Sequence, residues 1–230
     1  MKMTVSQAMV ECLKAENVKV VFGYPGAAIC PFYDALLDAE NDIRQVLVRQ
    51  EANGGHAANG YARISGKPAV CIATSGPGAT NLITAIATAY ADSIPIVCIT
   101  GQVNTDQIGS DVFQEADITG SAEPFVKHSY LLKDPEDTAR VFKEAFYIAG
   151  TGRPGPVLID IPKDITGALV VYEKKDPKKV VNHNPEGINE EIAAAAELIK
   201  NAEKPFIYAG GGVVSVSYTH LRAHETSQDL

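Results

Sequence analysis

Cysteine is scarce in this sequence of 230 residues, and its four copies lie far apart. They are Cys12, Cys30, Cys71 and Cys98, and none forms a Cys-x-x-Cys pair or lies at metal-ligand spacing from a histidine. This pattern argues against a disulfide framework and against a cysteine metal site. Because each cysteine lies in apolar sequence, we predict that all four are small, reduced residues of the core.

Long apolar runs and clustered basic residues are also absent. No window reaches the roughly 18 to 20 apolar residues that span a bilayer, so no membrane contact is expected. Residues 1–12 carry one lysine and no long apolar stretch, which indicates the start of a helix rather than a signal peptide, and hence a cytoplasmic protein. Lys and Arg number 20 against 28 Asp and Glu, a formal charge of −8, which argues against a nucleic-acid surface.

The residues that are present alternate between strand-like and helix-like segments. Hydrophobic residues make up 46% of the chain and charged residues 21%, an ordinary globular composition that can bury a core. The first predicted helix is capped by Thr4 and Gln7. Later helices are predicted at 31–37, 51–64, 80–90 and 135–149, and strands at 18–22, 43–48, 69–74, 94–100 and 157–161. This alternation predicts an α/β fold, a parallel sheet with helices on both faces and ligands at the carboxyl ends of the strands.

We place a first domain at residues 1–165. After it, the composition of the sequence changes and the apolar periodicity is lost. Residues 166–188 are rich in Lys, Asp, Asn and Pro and predict an exposed linker. Residues 189–213 then predict the start of a second α/β domain, with a helix at 189–200, a strand at 205–209 and three glycines directly after it.

The last segment, residues 214–230, is polar and has no apolar period. Its histidines, His220 and His224, have poor spacing and poor acidic partners for a metal site. A disordered terminus is one interpretation. We prefer another: the segment resembles translated adapter sequence, is not native, and is left out of the fold prediction.

Two segments are rich in glycine and follow predicted strands, namely residues 22–28 (FGYPGAA) and residues 74–81 (TSGPGATN). Glycine permits close approach of a ligand to the backbone, although such segments also serve as plain turns. The second segment precedes a helix and would suit an anion or polar ligand. It has neither the Gly-Lys-Ser/Thr end of a P-loop nor the Gly-x-Gly-x-x-Gly pattern, so neither nucleotide fingerprint applies.

A glutamate, Glu51, lies where the second predicted strand meets an alanine-rich helix. One interpretation is a capping carboxylate, because negative charge is favoured at a helix N-terminus. The other is a partly buried acid that shares a proton with a ligand. Three further segments also need an explanation, namely residues 111–115 (DVFQE), 152–156 (GRPGP) and 160–164 (DIPKD). Arg153 could present its guanidinium to a phosphate, or the Pro and Gly residues could merely shape a turn.

Six short motifs, taken together and in this order, resemble the N-terminal domain of the acetolactate synthase family, within the thiamine-diphosphate enzyme superfamily. They are residues 23–26 (GYPG), 49–51 (RQE), 60–63 (GYAR), 74–81 (TSGPGATN), 113–115 (FQE) and 153–156 (RPGP). The likeness runs from about Met3 to Gly212. It implies the pyrimidine-binding fold of that superfamily for the first domain. It also implies that residues 189–213 begin the family's central FAD-associated domain, which is truncated here.

The resemblance assigns roles to individual residues. Glu51 is the catalytic acid, which hydrogen-bonds the N1′ atom of the thiamine aminopyrimidine ring. Cofactor contacts are expected from Tyr24, Pro25, Gly26, Glu51, Thr74, Gly76, Pro77, Asn81 and, toward FAD, Arg153. Ala27, Ala28, Phe113, Gln114 and Lys163 are expected to line the substrate channel. Many members of the family have glycine where this chain has Ala27, and the added methyl is harmless only if the backbone φ there is negative.

The implied activity is decarboxylation of pyruvate and condensation of the hydroxyethyl unit with pyruvate or 2-ketobutyrate, in branched-chain amino-acid biosynthesis. Magnesium and the diphosphate bind a Gly-Asp-Gly…Asn sequence in the family's C-terminal domain, which does not occur here, so no metal ligand is assigned. The family's active sites form between subunits of a homodimer or homotetramer, with a small regulatory subunit as a further partner. We therefore expect this chain alone to be inactive.

Two alternatives remain. One is another thiamine-diphosphate enzyme, such as glyoxylate carboligase, pyruvate oxidase or the catabolic acetolactate synthase. The other is a non-catalytic binding or regulatory module, which would have no need of Glu51 or of the channel residues.

Overall fold

The computed structural model describes residues 1–178, 188–208 and 210–212. The chain divides into two compact units, Met1–Val181 and Asn182–Leu230. None of the helices in the described ranges is long and apolar enough to cross a membrane.

The first unit is built on a parallel sheet of six strands. The strands of the unit are β1 Lys2–Thr4, β2 Val20–Gly23, β3 Arg44–Leu47, β4 Ala69–Ala73, β5 Ile96–Gln102, β6 His128–Leu131, β7 Val157–Pro162 and β8 Leu169–Val171. The sheet has the order β3-β2-β4-β5-β7-β6, and all of its pairs are parallel. β1 and β8 form a separate antiparallel pair.

Helices connect the strands of the sheet. They are α1 Val5–Ala15, α2 Cys30–Leu37, α3 Glu51–Ser65, α4 Pro77–Thr80, α5 Ile83–Ala91, α6 Ile118–Ala122, α7 Thr138–Gly150 and α8 Lys163–Gly167, with short 3-10 turns at Glu123–Phe125 and Pro135–Asp137. The predicted capping box is present, since Thr4 accepts from the Gln7 amide and Gln7 accepts from the Thr4 amide. α3 ends at Gly66, whose φ of 67° is left-handed, as is usual for a glycine at a helix C-terminus.

The sheet carries a hydrophobic cluster on each face, which confirms the predicted α/β fold with helices on both sides. One cluster joins α1, α2 and α7 to side chains such as Val70 and Ile99, and the other joins α3, α5 and α6 to Cys71 and Cys98. All residues of β4 and β5 are buried. Continuous apolar runs of this kind are typical of central parallel strands, which have no solvent-facing side.

Three short strands, β1, β6 and β8, were not predicted. The position of β8 corrects the predicted end of the first domain. β8 lies inside residues 166–188, the segment predicted to be a linker, and pairs with β1 from Lys2↔Val171 to Thr4↔Leu169. Val170 and Tyr172 are buried against the first unit. The segment was misjudged because only alternate residues of so short a strand face the core, and because its partner lies at the other end of the sequence.

The cysteine prediction is correct for three residues and wrong for the fourth. All four thiols are free; Cys12, Cys71 and Cys98 are buried, and burial raises the pKa of Cys12 and of Cys98 to about 12. Cys30 is exposed. It is the first residue of α2, and that helix turns Phe32 and Leu36 toward the core instead.

The second unit is described at residues 188–208 and 210–212. α9, Ile188–Asn201, confirms the predicted helix, and its apolar side chains Ile192, Leu198 and Ile199 are exposed. Residues 205–208 are not a strand, contrary to the prediction, because a strand requires a paired neighbour and the described part of this unit offers none. Ala209 and the segment 214–230 lie outside the described residues, so the interpretation of the tail stays a prediction.

Candidate active site

The buried carboxylate of Glu51 marks the centre of the candidate site. Glu51 is the first residue of α3, follows β3 after a short connection at residues 48–50, and is 9% exposed. The side-chain amide of Asn81 donates to Glu51 Oε2 at 2.9 Å. Within the described part of the chain no backbone amide donates to this carboxylate, although its place in the first turn of α3 favours its negative charge. An ionised carboxylate has about four acceptor positions, and Glu51 therefore keeps acceptor capacity for a ligand.

The turn after β4 brings Asn81 to Glu51. Thr74 and Ser75 are buried, and Gly76 has a left-handed φ of 58° that leads into α4. The turn is closed by hydrogen bonds from Gly78 N to the Ser75 carbonyl and from Thr80 N to the Gly76 carbonyl. A Cβ on Gly78 would lie 3.3 Å from Glu51 Oε1. A glycine at 78 thus leaves the backbone close to the carboxylate without a side chain between them.

The turn after β2 lies against the same threonine. A Cβ on Gly26 would come within 2.5 Å of the Thr74 side chain, and the Ala28 amide donates to Thr74 Oγ1 at 3.3 Å. Tyr24 is 39% exposed, and Pro25 is exposed beside it. The two glycine-rich turns predicted to bind the cofactor therefore touch each other at the carboxyl edge of the sheet.

Ala27 fits its position without strain. It is exposed, and it is not among the residues with a positive φ. The methyl group of Ala27 is therefore compatible with the local backbone. Ala28 is buried, and a Cβ on Gly101 of β5 would lie 2.9 Å from the Ala28 carbonyl carbon.

The predicted channel residues lie at the same edge but have different environments. Gln114, with a φ of 60°, packs its backbone on Gly76, where a Cβ would be 2.6 Å from the Gln114 carbonyl oxygen. Phe113 is 87% exposed. Lys163 is exposed at the first position of α8, directly after β7. The structure thus brings Gln114 into contact with the turns and leaves the other two side chains facing outward.

The loop that carries Phe113 and Gln114 is fixed by Glu115. Its carboxylate accepts hydrogen bonds from the amides of Gly109, Ser110 and Val112. These bonds, that from Gly109 first, hold the pKa of Glu115 below its ordinary value. The loop is therefore preformed, although it has no regular secondary structure between β5 and α6.

Arg153 does not lie near Glu51, Asn81 and the two glycine-rich turns. Its turn precedes β7, so it lies at the amino edge of the sheet, opposite the site. Arg153 Nε donates to Ser93 Oγ at 2.7 Å, and Nη2 donates to the carbonyls of Tyr90 and Ala91 at the end of α5. The guanidinium also lies 5.7 Å from the Tyr90 ring centroid, a cation–π contact.

A buried acid of β7, Asp160, was quoted in the sequence segments but assigned no role. It is 1% exposed and is hydrogen-bonded by Thr100 and Gln102 of the neighbouring β5. Its sequence signal is a charged residue inside an otherwise apolar strand, Val157–Pro162. Among the described residues no group of three or more His, Cys, Asp or Glu side chains could hold a metal ion.

The cluster fits the aminopyrimidine end of thiamine diphosphate. A buried carboxylate with free acceptor capacity suits a ring nitrogen that can be protonated. Gly26 and Gly78 let the backbones of both turns pack closely on Thr74, since a Cβ on these glycines would lie 2.5 Å and 2.7 Å from the Thr74 side chain.

Comparisons with known proteins identify the family of the chain. The family described as "Thiamine pyrophosphate enzyme, N-terminal TPP binding domain" matches residues 3–121, just over half of the chain. The acetolactate synthase large subunit of Parasynechococcus marenigrum is 50% identical over 214 residues, which are 90% of this chain and 35% of that protein. The probable acetolactate synthase large subunit of Methanocaldococcus jannaschii is 50% identical over 214 residues, covering 91% and 36%. The acetolactate synthase of Arthrospira platensis is 46% identical over 233 residues, covering 99% and 40%.

The chain spans 35–40% of the length of these relatives. Four strands of the sheet, the two glycine-rich turns and the buried glutamate lie within the matched range, and β6 and β7 lie beyond it. The chain belongs to the thiamine pyrophosphate enzymes, and residues 3–121 are the family's N-terminal domain, which binds thiamine diphosphate.

Proposed function

We propose that the chain is the N-terminal part of the catalytic subunit of an acetolactate synthase. The complete enzyme would decarboxylate pyruvate and join the two-carbon unit to pyruvate or 2-ketobutyrate, in the biosynthesis of branched-chain amino acids. The observation that carries the proposal is the buried Glu51 carboxylate, which Asn81 orients beside the glycine-rich turn after β4. The names of the relatives favour this enzyme over other thiamine-dependent ones.

Glu51 performs the protein's part in activating the cofactor. When bound, thiamine diphosphate supplies the carbon nucleophile that a 2-ketoacid needs for decarboxylation. Glu51 hydrogen-bonds the N1′ atom of the aminopyrimidine ring and holds or releases a proton there. Because Glu51 is buried, the low local dielectric strengthens this hydrogen bond. Asn81 engages the other side of the carboxylate and fixes its orientation.

The two turns hold the ring in place. Tyr24, Pro25 and Gly26 present the turn after β2, and the turn after β4 presents Thr74, Gly76 and Pro77. Contact between Gly26 and Thr74 keeps the turns at a fixed separation. This arrangement excludes water from Glu51 and leaves room for a flat ring at backbone distance.

The substrate approaches from the same edge. Ala27 and Ala28 form the wall above the turns, and Gln114 and Phe113 project from the preformed loop. Lys163 is exposed at this edge and would attract the carboxylate of a 2-ketoacid. Its position directly after β7 places it at the carboxyl end of the strand that follows β5 in the sheet.

The remaining cofactors and partners belong to the same proposal. Arg153 contacts FAD at the opposite edge of the sheet, where its exposed guanidinium keeps Nη1 available for a phosphate. Magnesium and the diphosphate are bound by a part of the enzyme that this sequence does not contain. The enzyme assembles as a homodimer or homotetramer and takes a small regulatory subunit.

The test is a Glu51→Gln substitution in an enzyme of full family length that carries this chain. Glutamine keeps the size of the side chain and cannot release a proton to N1′, so acetolactate formation should fall by about 100-fold or more. Glu11→Gln is the matched control, because it makes the same change on the exposed face of α1 and should leave the rate unchanged. Acetolactate is measured from pyruvate with thiamine diphosphate, magnesium and FAD present.

Full activity of the Glu51→Gln enzyme would contradict the role of Glu51. Supplying pyruvate together with 2-ketobutyrate distinguishes acetolactate synthase from the other thiamine enzymes, because only a condensing enzyme of this type forms both acetohydroxyacids. The 230-residue chain alone should form no acetolactate, since it contributes the ring end of the cofactor site without the diphosphate end.

A further inference from the structure

Asp160 is a buried acid that the proposed chemistry does not use. It is 1% exposed, and none of the ion pairs in the described part of the chain includes it. Thr100 Oγ1 donates to Asp160 Oδ1 at 2.6 Å, and Gln102 Nε2 donates to Oδ2 at 3.0 Å. Burial raises the pKa of Asp160 to about 7, against the opposing effect of these two hydrogen bonds. An apolar residue at this position would avoid that desolvation cost. The presence of a buried acid here therefore needs a structural or functional explanation.

Gln102 extends the contact of Asp160 to the loop outside the sheet. The same Nε2 group donates to the carbonyl of Ala116 at 2.8 Å, and Oε1 accepts from the amide of Val103 at 2.9 Å. One amide side chain therefore joins both ends of the loop at 103–117 to the carboxyl end of β5. Asp160 orients this amide, because it accepts from the nitrogen that also serves Ala116.

The loop held in this way touches the cofactor turn. Two residues before Ala116, the backbone of Gln114 packs on Gly76, where a Cβ would be 2.6 Å from the Gln114 carbonyl oxygen. Gln114 has a φ of 60°, a conformation that a non-glycine residue keeps only when its surroundings impose it. Because Glu115 fixes the interior of the loop, a shift of Ala116 would move Gln114 and the Gly76 turn together.

We propose that Asp160 is a positioning residue, which acts through Gln102 and the carbonyl of Ala116 to hold residues 113–116 against the Gly76 turn. It touches neither cofactor nor substrate. It sets the place from which Phe113 and Gln114 meet the 2-ketoacid, and this last step rests on the function proposed above. The hydrogen-bonded link itself holds whatever the substrate is.

Two substitutions in β5 separate positioning from core stability. Gln102→Met keeps the length of the side chain and removes its bonds to both Asp160 and Ala116. Thr100→Val removes a bond to Asp160 and leaves the loop link in place. Amide hydrogen exchange of the 230-residue chain, read by mass spectrometry, should be about tenfold faster across residues 103–117 in Gln102→Met and unchanged there in Thr100→Val. Equal effects of the two variants, or none, would overturn the proposal.

Substitutions at Asp160 test the acid itself. Asp160→Asn can accept from Gln102 with its oxygen and donate to Thr100 with its nitrogen, since a threonine hydroxyl also accepts. It should therefore keep the slow exchange of the loop, whereas Asp160→Val should lose it. Fast exchange in the asparagine variant would mean that the link does not pass through the hydrogen bonds of residue 160.

The role in the site is read from kinetics of the full-length enzyme. Gln102→Met should raise the KM for the 2-ketoacid about tenfold with a much smaller change in kcat, and Thr100→Val should change neither. If the loop loosens and KM does not change in an active enzyme, the positioning of substrate is refuted. If the unsubstituted enzyme forms no acetolactate while Gln102→Met still loosens the loop, the proposed function has failed and the link between Asp160 and the loop stands.

Discussion

Gly26 lies so close to Thr74 that a Cβ on the glycine would fall 2.5 Å from the Cβ of the threonine. The two residues belong to different turns, one after β2 and one after β4, and Glu51 lies beside the second. Real Cβ atoms do not approach each other to this distance, so a side chain at position 26 forces the turns apart. The contact thus links the packing of the first unit directly to the geometry of the cofactor site.

Gly26→Ala should therefore destabilise the chain and widen the site. We expect a loss of about 1–3 kcal/mol in the free energy of unfolding, the usual cost of overpacking, measured by urea denaturation. Gly60→Ala is the matched control. Gly60 lies in α3 with nothing within 4 Å of its Cβ position, so alanine there should stabilise the helix by about 0.5–1 kcal/mol. Loss of stability in both variants would contradict the structure around Gly26.

The raised pKa of Asp160 predicts a specific dependence of stability on pH. In the unfolded chain this carboxyl ionises near its ordinary value of 3.8, whereas in the folded chain it ionises at about 7. Between these values the folded chain holds a proton that the unfolded chain has lost, so stability falls as the pH rises and levels off above about pH 7. Asp160→Asn does not titrate and should lack this loss.

The measurement is the free energy of unfolding of both forms at pH 5 and at pH 8. The difference between them should grow by about 3 kcal/mol in favour of the asparagine variant, because roughly two pH units separate pH 5 from the folded pKa, at 1.36 kcal/mol per pH unit. Glu16, whose pKa burial raises to about 7, is present in both forms and cancels in the comparison. Parallel curves for the two forms would mean that Asp160 is not the buried acid that the structure describes.

The fold was predictable where burial leaves a continuous pattern in the sequence. β4 and β5 are entirely buried, and their apolar runs identified them. β6 and β8 are short and only partly buried, and their strand character depends on neighbours far away in the sequence. Pairing of that kind is decided by the tertiary fold and leaves little local signal.

Some residues of the candidate site were also predictable from the sequence, and others were not. Glu51 and the two glycine-rich turns follow predicted strands, so their meeting at the carboxyl edge could be expected. The place of Arg153 could have been expected as well, because its turn precedes a predicted strand and therefore belongs to the opposite edge. The link from Asp160 through Gln102 to Ala116 could not have been expected from the sequence. It depends on the register of β5 with β7 and on the path of the loop.

The thiols offer a direct check of how α2 is oriented. Cys30 is exposed at the start of that helix, while Cys12, Cys71 and Cys98 are buried and have pKa values raised by loss of solvation. An aromatic disulfide reagent applied to the native chain should therefore label one thiol rapidly, and after denaturation it should label four. Cys30→Ser should abolish the rapid reaction and leave the three slow thiols unchanged. Rapid labelling of a second thiol in the native chain would mean that one face of the sheet is open where the structure closes it, and rapid labelling of none would place Cys30 in the core, as its apolar sequence neighbours had predicted.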